Sequence, residues 1–197
     1  AAVEQFDRRR QRGELADPDF NQTHTEARAA AARLIGADPS EIALVQNTNV
    51  AVNIGAHFVK ELASERRRIL VSEREFPANV YPWLALERFG FTVELVPARP
   101  TGDPDEERIE ALLQQPDVAA LAISFVQFAT GYRANLDRLG RICRANGQLF
   151  VVDAIQGIGV VPLRVGDLAI DILACVAQKW MCSPFGTGVT DIRSERC

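Results

Sequence analysis

The sequence predicts an α/β fold, a mostly parallel sheet with helices on both faces. Six short apolar runs alternate with helical patterns along the 197 residues. Several runs are continuously apolar, as strands buried on both faces are. The repeated strand–helix–strand order implies right-handed crossovers and parallel pairing. With 47% apolar and 24% charged residues, the chain can build one substantial core or a large domain with a small appendage.

Taken in order, Thr23-His24-Thr25-Glu26 fits a capping box and is expected to open a helix. Residues 1–22 then read as a helical lead-in and 23–197 as the main domain. IALVQ (42–46) is the first strand, followed by a helical pattern from VQNTNVAVN. RILVS (68–72) and TVELVP (92–97) come next, and Asp103-Pro104 places a cap before an N1 proline. After VAALAIS (118–124), Asn135 caps LDRLGRICRAN, which Gly147 closes. Leu136, Leu139, Ile142 and Cys143 share one face of that helix, so Cys143 is expected in the core. QLFVVD (148–153) and DILACV (171–176) complete the runs, and GTGVTDI is expected as an edge strand. No internal repeat or low-complexity linker interrupts them.

Composition narrows the function classes. Lys+Arg 22 against Asp+Glu 26 gives a net charge of -4, without the basic excess that nucleic-acid binding demands. The local clusters RRRQR (Arg8–Arg12) and RRR (Arg66–Arg68) read as solvated helix ends. Cys143, Cys175, Cys182 and Cys197 show no C-x-x-C spacing and no companion histidine pair, so no metal site and no disulfide framework is expected. A reducing, cytoplasmic setting follows as the expectation. No apolar run approaches roughly eighteen residues and the charged N-terminus lacks an apolar h-region, so neither a membrane span nor a signal peptide is expected. The start at Ala1 suggests a processed or excerpted sequence.

In a parallel sheet, ligands bind beyond the carboxyl ends of the strands. Asp153 ends one run, with Gln156 close by, and Lys179 stands just past the next. An acid and an amine at one edge could bind two sides of a planar heteroaromatic ligand. At VQNTNVAVN, the N–H groups of Thr48 and Asn49 would point outward with a helix dipole behind them, a phosphate site. The alternative is that Asn47 or Thr48 is merely a helix cap. Phe76 follows RILVS at the same rim, either as core or as an aromatic plate. Gly157-Ile158-Gly159 lacks the third glycine of a dinucleotide fingerprint. Carboxylate, amine, phosphate cradle and aromatic plate together describe a pocket for pyridoxal 5′-phosphate. Asp153 would pair with the ring nitrogen, Lys179 would form the Schiff base, Gln156 would donate to the phenolic oxygen and Phe76 would stack on the ring.

The block from AISFVQFATGYRANLDRLG through VVDAIQGIG to QKWMCSPFGTGV resembles the class V aminotransferase family of fold-type-I pyridoxal phosphate enzymes. That group includes cysteine desulfurases, selenocysteine lyases, kynureninases and epimerase-like members. D-A-x-Q, K-W and P-x-G-T-G form a specific combination, and the likeness runs from about Thr23 to the C-terminus. It implies the large cofactor domain of that fold, with Lys179 catalytic and Asp153, Gln156, Phe76, Thr48, Asn49 and Gln178 binding the cofactor. It also implies a homodimer, an amino-acid substrate, and a C-terminal small domain lying beyond Cys197.

Three departures qualify the likeness. CVAQKW has Val176 and Gln178 where relatives commonly carry serine and histidine, so one phosphate partner is absent and Gln178 stands in for the other. VQFATG has Phe128 where desulfurases place asparagine, closer to the tyrosine of kynureninases. Kynureninases, however, carry histidine at the position of Gln156. The function expected is a desulfurase-like or C–S lyase-like elimination. The alternatives are transamination, epimerisation, or a truncated or non-catalytic homologue. Cys182, three residues after Lys179, is expected to be structural.

Overall fold

The computed structural model describes residues 10–11, 18–63 and 65–196. Arg8, Arg9 and Arg12 of the first basic cluster, Cys197, and residues 1–9 and 12–17 of the lead-in lie outside the described residues.

Helix α1 (Pro18–Ile35) opens the described fold. It runs unbroken through Thr23–Glu26, so the expected capping box is not a helix start. Proline at its first position initiates the helix more than a turn earlier, and the Thr25 hydroxyl donates back to the Asn21 carbonyl at 2.9 Å instead of capping. Strand β1 (Ile42–Val45) leads into α2 (Thr48–Leu62), then β2 (Arg68–Ser72), a short α3 (Tyr81–Leu84) and β3 (Thr92–Val96). Helix α4 (Glu106–Leu113) and β4 (Val118–Ser124) follow, then α5 (Leu136–Ala145), β5 (Leu149–Asp153), β6 (Ile172–Val176) and β7 (Gly188–Ile192). Asn135 caps α5 as expected, accepting from the Arg138 N–H at 3.1 Å. The cap of α4 is Asp105, not Asp103, with Pro104 just outside the helix and the Arg108 N–H 3.3 Å from the Asp105 carboxylate.

The seven strands form one sheet in the order β1-β7-β6-β5-β4-β2-β3. β3, β2, β4, β5 and β6 are mutually parallel, and only β7 runs against its neighbours. GTGVTDI is therefore not an edge strand. It is inserted between β6 and β1, with Ile42 opposite Asp191 on one side and Leu173 opposite Asp191 on the other. The edges are β1 and β3. The second basic cluster is also not a helix end. Arg68 begins β2 and pairs with Glu94 on β3, while Arg66 donates to the Asn146 carbonyl at 2.7 Å.

Period-two alternation divides the strand residues between two cores. Leu121 and Ile123, Phe150 and Val152, and Leu173 and Cys175 pack with α1, α4 and α5. Cys143 is fully buried there, as expected, and burial pushes its thiol far up. Ala120 and Ala122, Val151, and Ile172 and Ala174 face α2 and Trp83. The apolar stripe of α2 is Ala51, Val52, Gly55, Ala56 and Val59, spaced as one helical face. Its small residues meet the alanines of the sheet, and a Cβ at Gly55 would stand 3.1 Å from Val151 Cγ1. By the same alternation Asp153, two residues after Val151, belongs to the α2 face.

Candidate active site at the carboxyl edge of the sheet

β1, β2, β4, β5 and β6 all end at one edge, and the residues just beyond them form the site. Asp153, the last residue of β5, is 1% exposed. One carboxylate oxygen accepts from the Ile155 N–H at 3.0 Å, and the other is buried with no hydrogen-bond partner. Burial pushes the carboxyl up to about 7, with Glu75 adding to the rise and the Ile155 N–H and Lys179 opposing it. A buried carboxylate oxygen without a donor is expensive, and it matches a cationic N–H that arrives with a ligand.

Lys179 is half-buried in the loop between β6 and β7, its Nζ 5.9 Å from the centre of the Phe76 ring. Among the described residues no carboxylate lies within ion-pair distance of that amine. Phe76 is 43% exposed, which decides for the rim over the core. It meets Phe128 edge to face at 5.3 Å and 68°. Gln156 accepts from the Trp180 indole N–H at 3.2 Å through Oε1, which leaves its amide NH₂ to donate elsewhere. This contact joins the turn after β5 to the lysine loop, and Gly159 permits the approach. Its φ is +100°, and a Cβ there would fall 2.6 Å from the Trp180 carbonyl oxygen.

The start of α2 combines the helix cap with first-turn N–H groups that the helix itself does not use. Asn47 is the cap, its side chain accepting from the Val50 N–H at 2.9 Å. The N–H groups of Thr48 and Asn49, ahead of it in the first turn, have no acceptor within the helix. The Thr48 hydroxyl is buried and unpartnered. Gln178 is half-buried, one residue before Lys179. Cys182 has a left-handed φ of 52° and closes a turn through its N–H to the Lys179 carbonyl at 3.2 Å, a structural place in the loop.

The structure thus brings Asp153, Gln156, Lys179 and Phe76 to one edge of the sheet. It sets Thr48 and Asn49 at the end of the helix covering the same sheet face. Two participants escaped the sequence reading. Trp180 was visible only as half of K-W, and Glu75, buried beside Asp153, sits in a polar stretch that reads as surface. A cavity of about 730 Å³ adjoins the lysine loop on the side of α1 and β1, lined by Gly159 and Trp180 but by none of Asp153, Gln156 and Lys179.

The orphaned oxygen of Asp153, the unpaired amine and the buried hydroxyl at a helix N-terminus fit the ring nitrogen, aldehyde and phosphate of pyridoxal 5′-phosphate. Known proteins agree. The chain is 31% identical over 171 residues to human cysteine desulfurase, covering 85% of this chain and 36% of that protein. It is 33% identical over 173 residues to cysteine desulfurase IscS of Aeromonas hydrophila, covering 86% and 42%. Among solved structures, the cysteine desulfurase CsdA from Escherichia coli superposes with a TM-score of 0.82 at 28% identity, covering 94% of this chain and 47% of that one. The chain therefore spans about two fifths of the length of the curated relatives it matches. Because the class-V aminotransferase profile also matches residues 10–196, nearly the whole chain, this protein belongs to the class V aminotransferase family, whose cofactor is pyridoxal 5′-phosphate.

Proposed function

We propose that this chain is the cofactor-binding part of a pyridoxal phosphate-dependent enzyme that acts on an amino acid, desulfurase-like or C–S lyase-like. The carrying observation is the buried, unpartnered oxygen of Asp153 at the strand edge that also presents Lys179. When bound, pyridoxal phosphate supplies an electrophilic carbon and a ring that takes up electron density from the substrate Cα.

The chain's own residues do the rest. Asp153 holds a proton at the ring nitrogen, and its burial strengthens that pairing. Lys179 is the covalent anchor and then carries protons at Nζ to and from the substrate carbon. Phe76 covers one ring face and keeps water from it, and the Gln156 amide donates to the ring oxygen while Trp180 fixes its orientation. Thr48, Asn49 and the α2 N-terminus receive the phosphate, with Gln178 as a further contact. On this reading residues 23–197 are the large domain of a cytoplasmic homodimer completed by a small C-terminal domain. The similarity to cysteine desulfurases favours elimination over transamination or epimerisation.

Borohydride reduction of the cofactor-loaded protein followed by peptide mapping tests the assignment. Pyridoxyl is expected on Lys179. Label on Lys60, or none, would overturn it.

A further inference from the structure

Glu75 lies just after β2, is only 7% exposed, and has no part in the roles above. Its carboxylate meets four donors from two segments. Oε1 accepts from the Ser124 N–H at 2.8 Å and the Gln127 amide at 2.5 Å. Oε2 accepts from the Asn79 amide at 3.0 Å and from the Ser124 hydroxyl. Asn79 accepts in turn from the indole N–H of fully buried Trp83 at 3.3 Å, so the network is anchored in the core.

What each tied segment carries gives the wiring its meaning. Phe76 directly follows Glu75, and the Asn79 N–H closes back on the Phe76 carbonyl at 2.7 Å. Phe128 directly follows Gln127, in a turn closed by the Gly131 N–H to the Gln127 carbonyl at 2.9 Å. These are the two rings that meet edge to face. Ser124, the third holder, stands opposite Asp153 in the β4–β5 register, and the Phe125 N–H donates to the Asp153 carbonyl at 2.8 Å. One carboxylate thus links both aromatic segments to the strand pair that ends in Asp153. A buried acceptor filled by four donors is a rigid joint, and loss of it leaves all four donors buried and unmet.

We infer that Glu75 is a positioning residue of the cofactor site, fixing the Phe76–Phe128 pair relative to Asp153 so that a planar ring seats between an aromatic plate and the sheet edge. This rests on the cofactor reading above. A glutamine at 75 keeps the shape but sets an amide NH₂ against one of the present donors, so it loosens the joint without emptying it.

The test compares the parent protein with Glu75→Gln and Ser124→Ala, using Asp171→Asn as a control. Asp171 is a buried carboxylate at the opposite sheet edge, where it accepts from the Phe150 N–H at 2.8 Å. Each protein is followed by thermal unfolding without cofactor, by absorbance titration with pyridoxal phosphate, and by visible circular dichroism per bound cofactor. Glu75→Gln is expected to weaken cofactor binding about tenfold or more and to change the circular dichroism, which reports the seating of the ring. Ser124→Ala should move both in the same direction by less. Asp171→Asn should lower the unfolding temperature and move neither. Parental affinity and circular dichroism in Glu75→Gln, or in Ser124→Ala if the first does not fold, would overturn the assignment of Glu75 alone. A parent that takes up no cofactor would instead overturn the reading beneath it.

Discussion

Asp171 and Asp153, buried at opposite edges of the sheet, are treated in opposite ways. At the amino edge, Asp171 is 4% exposed and accepts from the Phe150 N–H, while Arg193 beside it donates to the carbonyls of Ile170, Val165 and Leu168. At the carboxyl edge, Asp153 is 1% exposed and keeps one oxygen unmet. The first arrangement ties strands together. The second leaves an acceptor unmet that an incoming donor could satisfy, as functional sites do when they break a rule of packing.

Substitution should separate the two, and the largest effect is expected in catalysis. Asp153→Asn should bind pyridoxal phosphate but lower turnover of the complete enzyme by about a hundredfold to a thousandfold, because a charge partner in a dry site is lost. Asp171→Asn should leave turnover intact and reduce stability by about 1–3 kcal/mol. Steady-state kinetics and denaturant unfolding on both variants would sharpen the contrast. Equal effects of the two on turnover would break it.

A second difference lies in the pH dependence of stability without cofactor. Unfolded, Asp153 titrates near its ordinary 3.8, and folded it titrates near 7. The folded state holds the proton more tightly, so this contribution is full below the unfolded value and is lost as pH rises through 7. The slope from this group is at most about 1.4 kcal/mol per pH unit. Asp191, pushed up to about 6 by burial and by Glu41, acts with the same sign over a lower window, and Glu75 is raised as well. Asp153→Asn should therefore flatten the upper part of the curve, between about 6 and 7, in urea midpoints measured across pH. An unchanged curve would place the proton elsewhere.

The smallest expected effect is at the rim. Phe76→Ala should weaken cofactor binding by about 1 kcal/mol beyond the area lost, read by absorbance titration. Unchanged affinity would make the Phe76–Phe128 pair a surface contact only.

How much of this was legible follows from the range of the interactions. Strands β2 and β4 match their apolar runs end to end, because burial on both faces writes itself into consecutive residues. Asp153 and Lys179 were readable as polar residues placed just past such runs. Glu75 was not, because its four donors come from residues 79, 124 and 127, and a charged residue in SEREF reads as solvated. A usable signal was present in Glu75, Asn79 and Trp83, a polar–polar–aromatic series at helical spacing. The place of β7 was equally hidden, since its partner β1 lies at the other end of the chain. The capping box at Thr23 failed because a short motif carries no information about a helix that has already begun.

The antiparallel insertion of β7 also bears on how the protein is made. Among the described residues β1 pairs only with β7, so β1 has no seat in the sheet until residues 188–192 are synthesised. The β2–β6 part of the sheet can assemble in sequence order, whereas β1 must wait for residues 188–192. On the proposed reading, the residues that would receive the phosphate, Thr48 and Asn49, directly follow the strand that is seated last among those described.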